Sequence, residues 1–94
     1  MKPPEAQARR FIANLQRKGW QIRESAIFSE ADYLFFPYPD GWHETLDDLL
    51  TIMKRRIERF SDLNQSTHLS PENRSLLIRV HQQAIDAISE TAQN

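Results

Sequence analysis

Cysteine is absent from this 94-residue chain, and glycine occurs only twice, at Gly19 and Gly41. Without cysteine the chain forms no disulfides, thiolate metal sites or cysteine nucleophiles. Small secreted domains usually depend on disulfides, and the first residues lack the apolar run of a signal peptide, so we expect a cytoplasmic protein. Two glycines are few for a sandwich or barrel with many tight turns, which favours a helical fold.

Long apolar runs and a strong net charge are also missing. No segment approaches the roughly 20 consecutive apolar residues that a membrane-spanning helix needs, and the net charge is −1. The length predicts a single domain, residues 1–94, with little stability to spare.

Aromatic and acidic residues are concentrated in one part of the chain. Seven of the nine aromatic residues fall between Trp20 and Trp42, and residues 24–50 contain seven carboxylates but no lysine or arginine. Residues 1–23 carry a charge of +5 and residues 24–50 a charge of −7. Either the basic and acidic segments face one another across the fold, or the surface is dipolar and its two faces meet different partners.

Three amphipathic helices are predicted from apolar spacing and capping residues. The first covers residues 5–18 and ends before Gly19; the second covers 45–61, where Thr45 and Asp48 resemble a capping box. The third begins at Pro71 after the N-cap Ser70 and ends near Glu90. Their apolar stripes should be buried together and contain Phe11, Leu15, Leu49, Leu50, Met53, Ile57, Phe60, Leu77 and Val80.

The segment between the first two helices predicts an antiparallel hairpin of residues 20–28 with 33–37, since it is rich in aromatic residues and partly alternating. The expected fold class is therefore α+β and mainly helical, in the order helix, hairpin, helix, helix. The alternative is an all-α fold with a short helix over residues 24–36, because short apolar runs do not distinguish strand from helix.

The third helix has an apolar arc of roughly 200°, wider than one neighbouring helix requires. Ile78 and Ile85 lie seven residues apart on one edge of this arc. We expect them to form the interface of a two-fold homodimer, the commonest oligomeric arrangement.

Residues capable of chemistry are few. His43 and Asp47 are four residues apart, as metal ligands on a helix are, but acids at a helix start are better explained by the helix dipole, so no metal site is expected. His81 should be a partly buried histidine with a local hydrogen bond. There is no nucleophile elbow and no glycine-rich phosphate loop, so we expect no enzyme and no cofactor.

By elimination, the sequence predicts a non-catalytic protein–protein interaction module: a small adaptor, regulator or inhibitor that binds another protein. Aromatic anchors dominate interface energetics, so the expected partner-binding residues are Phe35, Phe36, Tyr38, Asp40 and Trp42. The alternative is a nucleic-acid-binding regulator that uses basic faces of the first two helices, with Arg9, Arg10, Arg17, Lys18, Arg55, Arg56 and Arg59. A small hydrolase or metal enzyme is the least favoured hypothesis.

Overall fold

Three helices and a small antiparallel sheet make up the part of the chain that the structure describes. This computed structural model describes residues 4–24, 26–30, 45–65 and 67–93, together with the backbone of residues 34–37. The elements in chain order are α1 (Glu5–Arg17), β1 (Gln21–Arg23), β2 (Ala26–Phe28), β3 (Leu34–Pro37), α2 (Leu46–Ser61) and α3 (Pro71–Ala92). The predicted mainly helical α+β fold is confirmed. The all-α alternative is wrong, since strands occupy residues 26–28 and 34–37.

The starts of α2 and α3 are fixed by side-chain caps. Thr45 Oγ1 accepts a hydrogen bond from the Asp48 backbone N–H at 3.2 Å, and Asp48 Oδ2 accepts one from the Thr45 N–H at 3.3 Å. This is a capping box in which aspartate replaces the usual glutamate or glutamine. At α3, Ser70 Oγ accepts from the Asn73 N–H at 3.1 Å. The predicted helix boundaries are therefore confirmed to within two residues.

Helix α1 ends because Gly19 adopts a positive φ of 99°. The Gly19 N–H donates to the Gln16 carbonyl at 3.0 Å and the Trp20 N–H donates to the Leu15 carbonyl at 3.2 Å. A Cβ at Gly19 would meet no atom within 4 Å, so the backbone angle and not space explains the glycine. The turn directs the buried Trp20 toward the core.

The sheet has one strand more than the predicted hairpin. Its order is β1-β2-β3 with antiparallel pairing throughout. Arg23 pairs with Ala26, so the chain reverses within the stretch that was predicted to be a single strand over residues 20–28. Glu24 has a φ of 51° in this reversal, a conformation usually taken by glycine or asparagine. Because the residues around Glu24 include no glycine or asparagine, the sequence did not predict this reversal of the chain.

Strand β3 contains one residue more than the segment of β2 that it faces. Ile27 pairs with Phe36, whereas the next residue, Phe28, pairs with Leu34. Phe35 is left between the two pairs, which is the pattern of a β-bulge. Because β3 is the last strand in the order, this bulge lies at an edge of the sheet.

The core is built around α3, which packs against both α1 and α2. Each helix contributes fully buried apolar side chains, and Trp20 and Ile27 close the core from the sheet side. The helical members are Ala8, Phe11, Ile12, Leu15, Leu46, Leu49, Met53, Val80, Ala84, Ala87 and Ile88.

The predicted core residues lie on the inward faces of their helices, but some of them are less deeply buried than predicted. Five of the nine residues are buried, whereas Leu50, Ile57, Phe60 and Leu77 are only half-buried. A helical stripe shows which face turns inward, but it does not show how far the neighbouring helix extends over that face. None of the nine is exposed, so the predicted rotation of each helix is right.

Replacing Leu15 with alanine should lower the free energy of unfolding by about 2–5 kcal/mol, because the side chain is fully buried and its removal leaves a cavity. Leu63→Ala is the matched control: Leu63 is 65% exposed, and its truncation should change stability by less than about 0.5 kcal/mol. Urea denaturation of both variants measures the difference. Equal effects would contradict this core.

Candidate functional site

The predicted partner-binding segment begins on β3. Phe35 and Phe36 belong to this edge strand, Phe36 opposite Ile27 of β2 and Phe35 at the bulge. Tyr38, Asp40 and Trp42 lie outside the described residues. The structure thus describes the backbone of two of the five predicted contact residues, Phe35 and Phe36, which lie on an edge strand with an irregular register.

Strands β1 and β2 carry a cation–π pair that the sequence did not predict. The Arg23 guanidinium carbon lies 4.1 Å from the centroid of the Phe28 ring. Both residues border a shallow depression of about 570 Å³ together with Glu24 and Ala26. The pair depends on the unpredicted reversal after Arg23, which brings the two side chains diagonally across β1 and β2.

On α1, the predicted nucleic-acid-binding residues fall into two groups. Arg9 forms an ion pair with Glu5 of the same helix, and Lys18 Nζ lies 2.7 Å from Glu90 Oε1 on α3. Arg10 and Arg17 are exposed and lie two turns apart on one face. Within the described ranges they form no ion pair.

On α2, Arg55 and Arg59 are exposed, four residues apart, and share a helix face. Neither pairs with an acid in the portion of the chain described here. Arg56 differs because it is half-buried and its charge acts on His81. The seven basic residues therefore lie on two different helices, both of which pack against α3.

His81 is a residue of α3 that is buried against α2, with 1% of its surface exposed. Its Nδ1 lies 2.7 Å from the Leu77 carbonyl oxygen, so Nδ1–H donates to the preceding turn. The ring meets Phe60 edge-on, with centroids 5.2 Å apart. The predicted local hydrogen bond is confirmed, and the burial is deeper than predicted.

Burial is the main cause that lowers the pKa of His81 below its ordinary value of 6.5. The hydrogen bond to Leu77 acts in the opposite direction, and the positive charge of Arg56 lowers the pKa further. Burial therefore favours the neutral form of the imidazole in the folded protein.

The predicted dimer residues lie on the edge of α3. Ile85 is half-buried and packs against the core. Ile78 is half-buried and lines a shallow depression of about 480 Å³ with Ser75, Arg79, Gln82, Gln83 and Asp86. Ile78 thus borders this surface depression, whereas Ile85 packs against the core.

In the described ranges, no group of three or more histidine, cysteine, aspartate or glutamate side chains is arranged to hold a metal ion. His43, the first residue of the metal pattern considered above, lies outside those ranges. No helix in the described part of the chain has the length and apolar character needed to cross a membrane.

Comparison with protein-family models, with curated protein sequences and with solved structures finds no match to this chain. Its function is therefore inferred from its own residues.

The stability of the fold should fall as the pH is lowered below about 6.5. His81 takes up a proton more readily in the unfolded chain than in the folded one, because burial lowers the folded pKa. Stability is therefore fully present above pH 6.5, and it is lost as the pH falls from there through the lower folded pKa. Denaturant unfolding between pH 7.5 and 5 measures this slope.

A His81→Gln variant, which carries no titratable ring, should show a flatter slope over the same range. His68→Gln is the control, because it makes the same substitution at an exposed position in the loop after α2. An identical slope in the wild type and His81→Gln would contradict the assignment to His81.

Proposed function

We propose that this chain is a non-catalytic protein-binding module, an adaptor, regulator or inhibitor working in a reducing compartment such as the cytoplasm. Its partner contacts the aromatic segment from Phe35 to Trp42. The observation that carries the proposal is the position of β3: the strand that contains Phe35 and Phe36 lies at the edge of the sheet and has an irregular register.

An edge strand supports this role because such strands generally present N–H and C=O groups that a second chain can pair with, and β3 is an edge strand of the described sheet. A bulge adds a further property, since it bends the strand and changes the direction in which side chains point. Phe35 lies at this bulge. Aromatic side chains are also the most frequent energetic anchors of protein interfaces.

The charge of the region supports a partner with a basic surface. Residues 24–50 carry a charge of −7, and Glu24, Glu30, Asp47 and Asp48 are exposed. Complementary charge accelerates the encounter of two proteins, and the acceleration declines as salt is added. Such a region repels phosphate groups, which disfavours nucleic acid at this surface.

Replacing Phe35 with alanine should weaken binding to the partner by about 30-fold, corresponding to about 2 kcal/mol for an aromatic anchor. The partner is first isolated from an extract of the native host and identified, and its affinity is then measured by calorimetry with purified proteins. Leu63→Ala is the control because it removes an exposed apolar side chain outside the segment. Unchanged affinity after separate truncation of Phe35, Tyr38 and Trp42 would reject the proposed surface.

Nucleic-acid binding is the second candidate, favoured by the exposed arginines of α1 and α2 that lack ion pairs in the described ranges. Binding of this kind would weaken steeply with salt, because each neutralised phosphate releases counterions. Arg55 and Arg59 are suitable for mutation, since both are exposed. Arg56 is unsuitable because it is half-buried and influences His81.

We expect no gel shift of DNA or RNA by the wild-type protein at physiological salt. A salt-sensitive shift that disappears in Arg55→Ala/Arg59→Ala would contradict this expectation and make nucleic-acid binding the better function. The control is Arg9→Ala/Lys18→Ala, which removes the same charge from ion-paired positions. A shift that both double variants abolish equally would reflect net charge and not a site on α2.

A further inference from the structure

The exposed face of α3 is self-complementary: the residues that precede Gln82 on this face could pair with the residues that follow Gln82 in a second copy of the helix. Arg79 lies one turn before Gln82 and Asp86 lies one turn after it, and both are exposed. Ile78 and Ile85 stand beside them at the same two levels, and Ser75 and Ser89 lie seven residues to either side. Each side of the centre thus carries one charge, one isoleucine and one small polar residue, with the two charges opposite in sign.

Two copies of the chain related by a two-fold axis would bring the matching residues of this face together. Around such an axis the same surface of two copies meets itself, so residue i contacts residue j and j contacts i. If two α3 helices run antiparallel with the axis beside Gln82, the turn that bears Arg79 faces the turn that bears Asp86. The same symmetry brings Ile78 of one copy to the level of Ile85 of the other.

The surface has the shape for such a contact. The shallow depression of about 480 Å³ on this face extends over about three turns, from Ser75 to Asp86, and Ile78 forms part of its wall. Both isoleucines are half-buried within the single chain, so each leaves apolar surface uncovered. Burial of that surface against a second copy is favourable in proportion to its area.

Arg79 and Asp86 are also held in place before association. Arg79 donates from Nε at 3.0 Å and from Nη2 at 2.7 Å to Glu30 Oε1, which anchors its guanidinium to the turn after β2. Asp86 Oδ1 accepts from Gln82 Nε2 at 3.1 Å. Side chains with restricted rotamers lose less entropy when they form an interface. Arg79 keeps further N–H donors for a second carboxylate.

We propose that two copies of this chain associate through α3 as an antiparallel two-fold dimer centred on Gln82, in which Arg79 of each copy meets Asp86 of the other. This inference does not depend on the proposed protein-binding function. The proposed interface also differs from the one predicted from the sequence, which contained only Ile78 and Ile85. Ile78 and the two charges carry the contact, whereas Ile85 serves mainly as a core residue that shows one edge to the second copy.

Light scattering coupled to size-exclusion chromatography tests the dimer at tens of micromolar protein. The wild type should have twice the chain mass of 11.1 kDa. Asp86→Arg should elute as a monomer, because each Arg79 would then face an arginine. Arg79→Asp should also be monomeric, because each Asp86 would face an aspartate.

An equimolar mixture of Asp86→Arg and Arg79→Asp should restore the dimer mass, since both charge contacts again join opposite signs. This restoration distinguishes a direct contact from misfolding, which mixing would not repair. Glu58→Arg is the control; it makes the same change of charge at an exposed position on α2 and should stay dimeric. A monomeric wild type, a dimeric Asp86→Arg, or a mixture that stays monomeric would each overturn the proposal.

Discussion

The fold depends on one constraint: α3 has to pack against α1 and α2 at the same time. A helix with one neighbour needs an apolar stripe little wider than 100°, whereas the buried and half-buried apolar side chains of α3 together cover an arc of roughly 200°. Ala84 and Ala87 are fully buried within it, and their small side chains allow neighbouring helices to approach closely. Phe11 and Leu15 of α1 and Leu49 and Met53 of α2 then fill the space on either side.

Buried polar contacts decide how α1 and α3 are placed relative to one another. Asn14 Nδ2 donates to Thr91 Oγ1 at 2.9 Å, and Thr91 Oγ1 donates to the Ala87 carbonyl at 2.8 Å. A rotation that separated Asn14 from Thr91 would leave a buried amide without this partner, at a cost of about 1–3 kcal/mol. The exposed ion pairs, such as Lys18 with Glu90, contribute less because water screens them. Apolar packing therefore supplies most of the stability, and the buried hydrogen bond selects one arrangement.

The sequence correctly predicts structural elements that depend on neighbouring residues, such as capped helix starts. It does not predict features whose geometry depends on contacts with residues far away in the chain. Thr45 and Ser70 mark the helix starts correctly, because a cap acts within three residues. The reversal after Arg23 was missed because Glu24 adopts the positive φ that composition rules assign to glycine. The bulge at Phe35 depends on how β3 pairs with β2. The half-burial of Phe60 depends on how far α3 covers the end of α2. No pattern within a single segment contains that information.

The distribution of ion pairs bears on the two explanations of the uneven charge. Arg9 pairs inside α1, Lys18 pairs with α3, and Glu30 of the acidic segment pairs with Arg79 of α3. None of these three pairs joins the basic stretches of α1 or α2 to the acidic segment. Within the described ranges, Arg10, Arg17, Arg55 and Arg59 are exposed and form no ion pair, so the described contacts do not neutralise these four charges internally. The outer face of α3 differs, because its exposed Arg79 and Asp86 have opposite charges. In general a surface of balanced charge can complement a copy of itself, whereas a surface with one sign of charge needs a partner of the opposite sign.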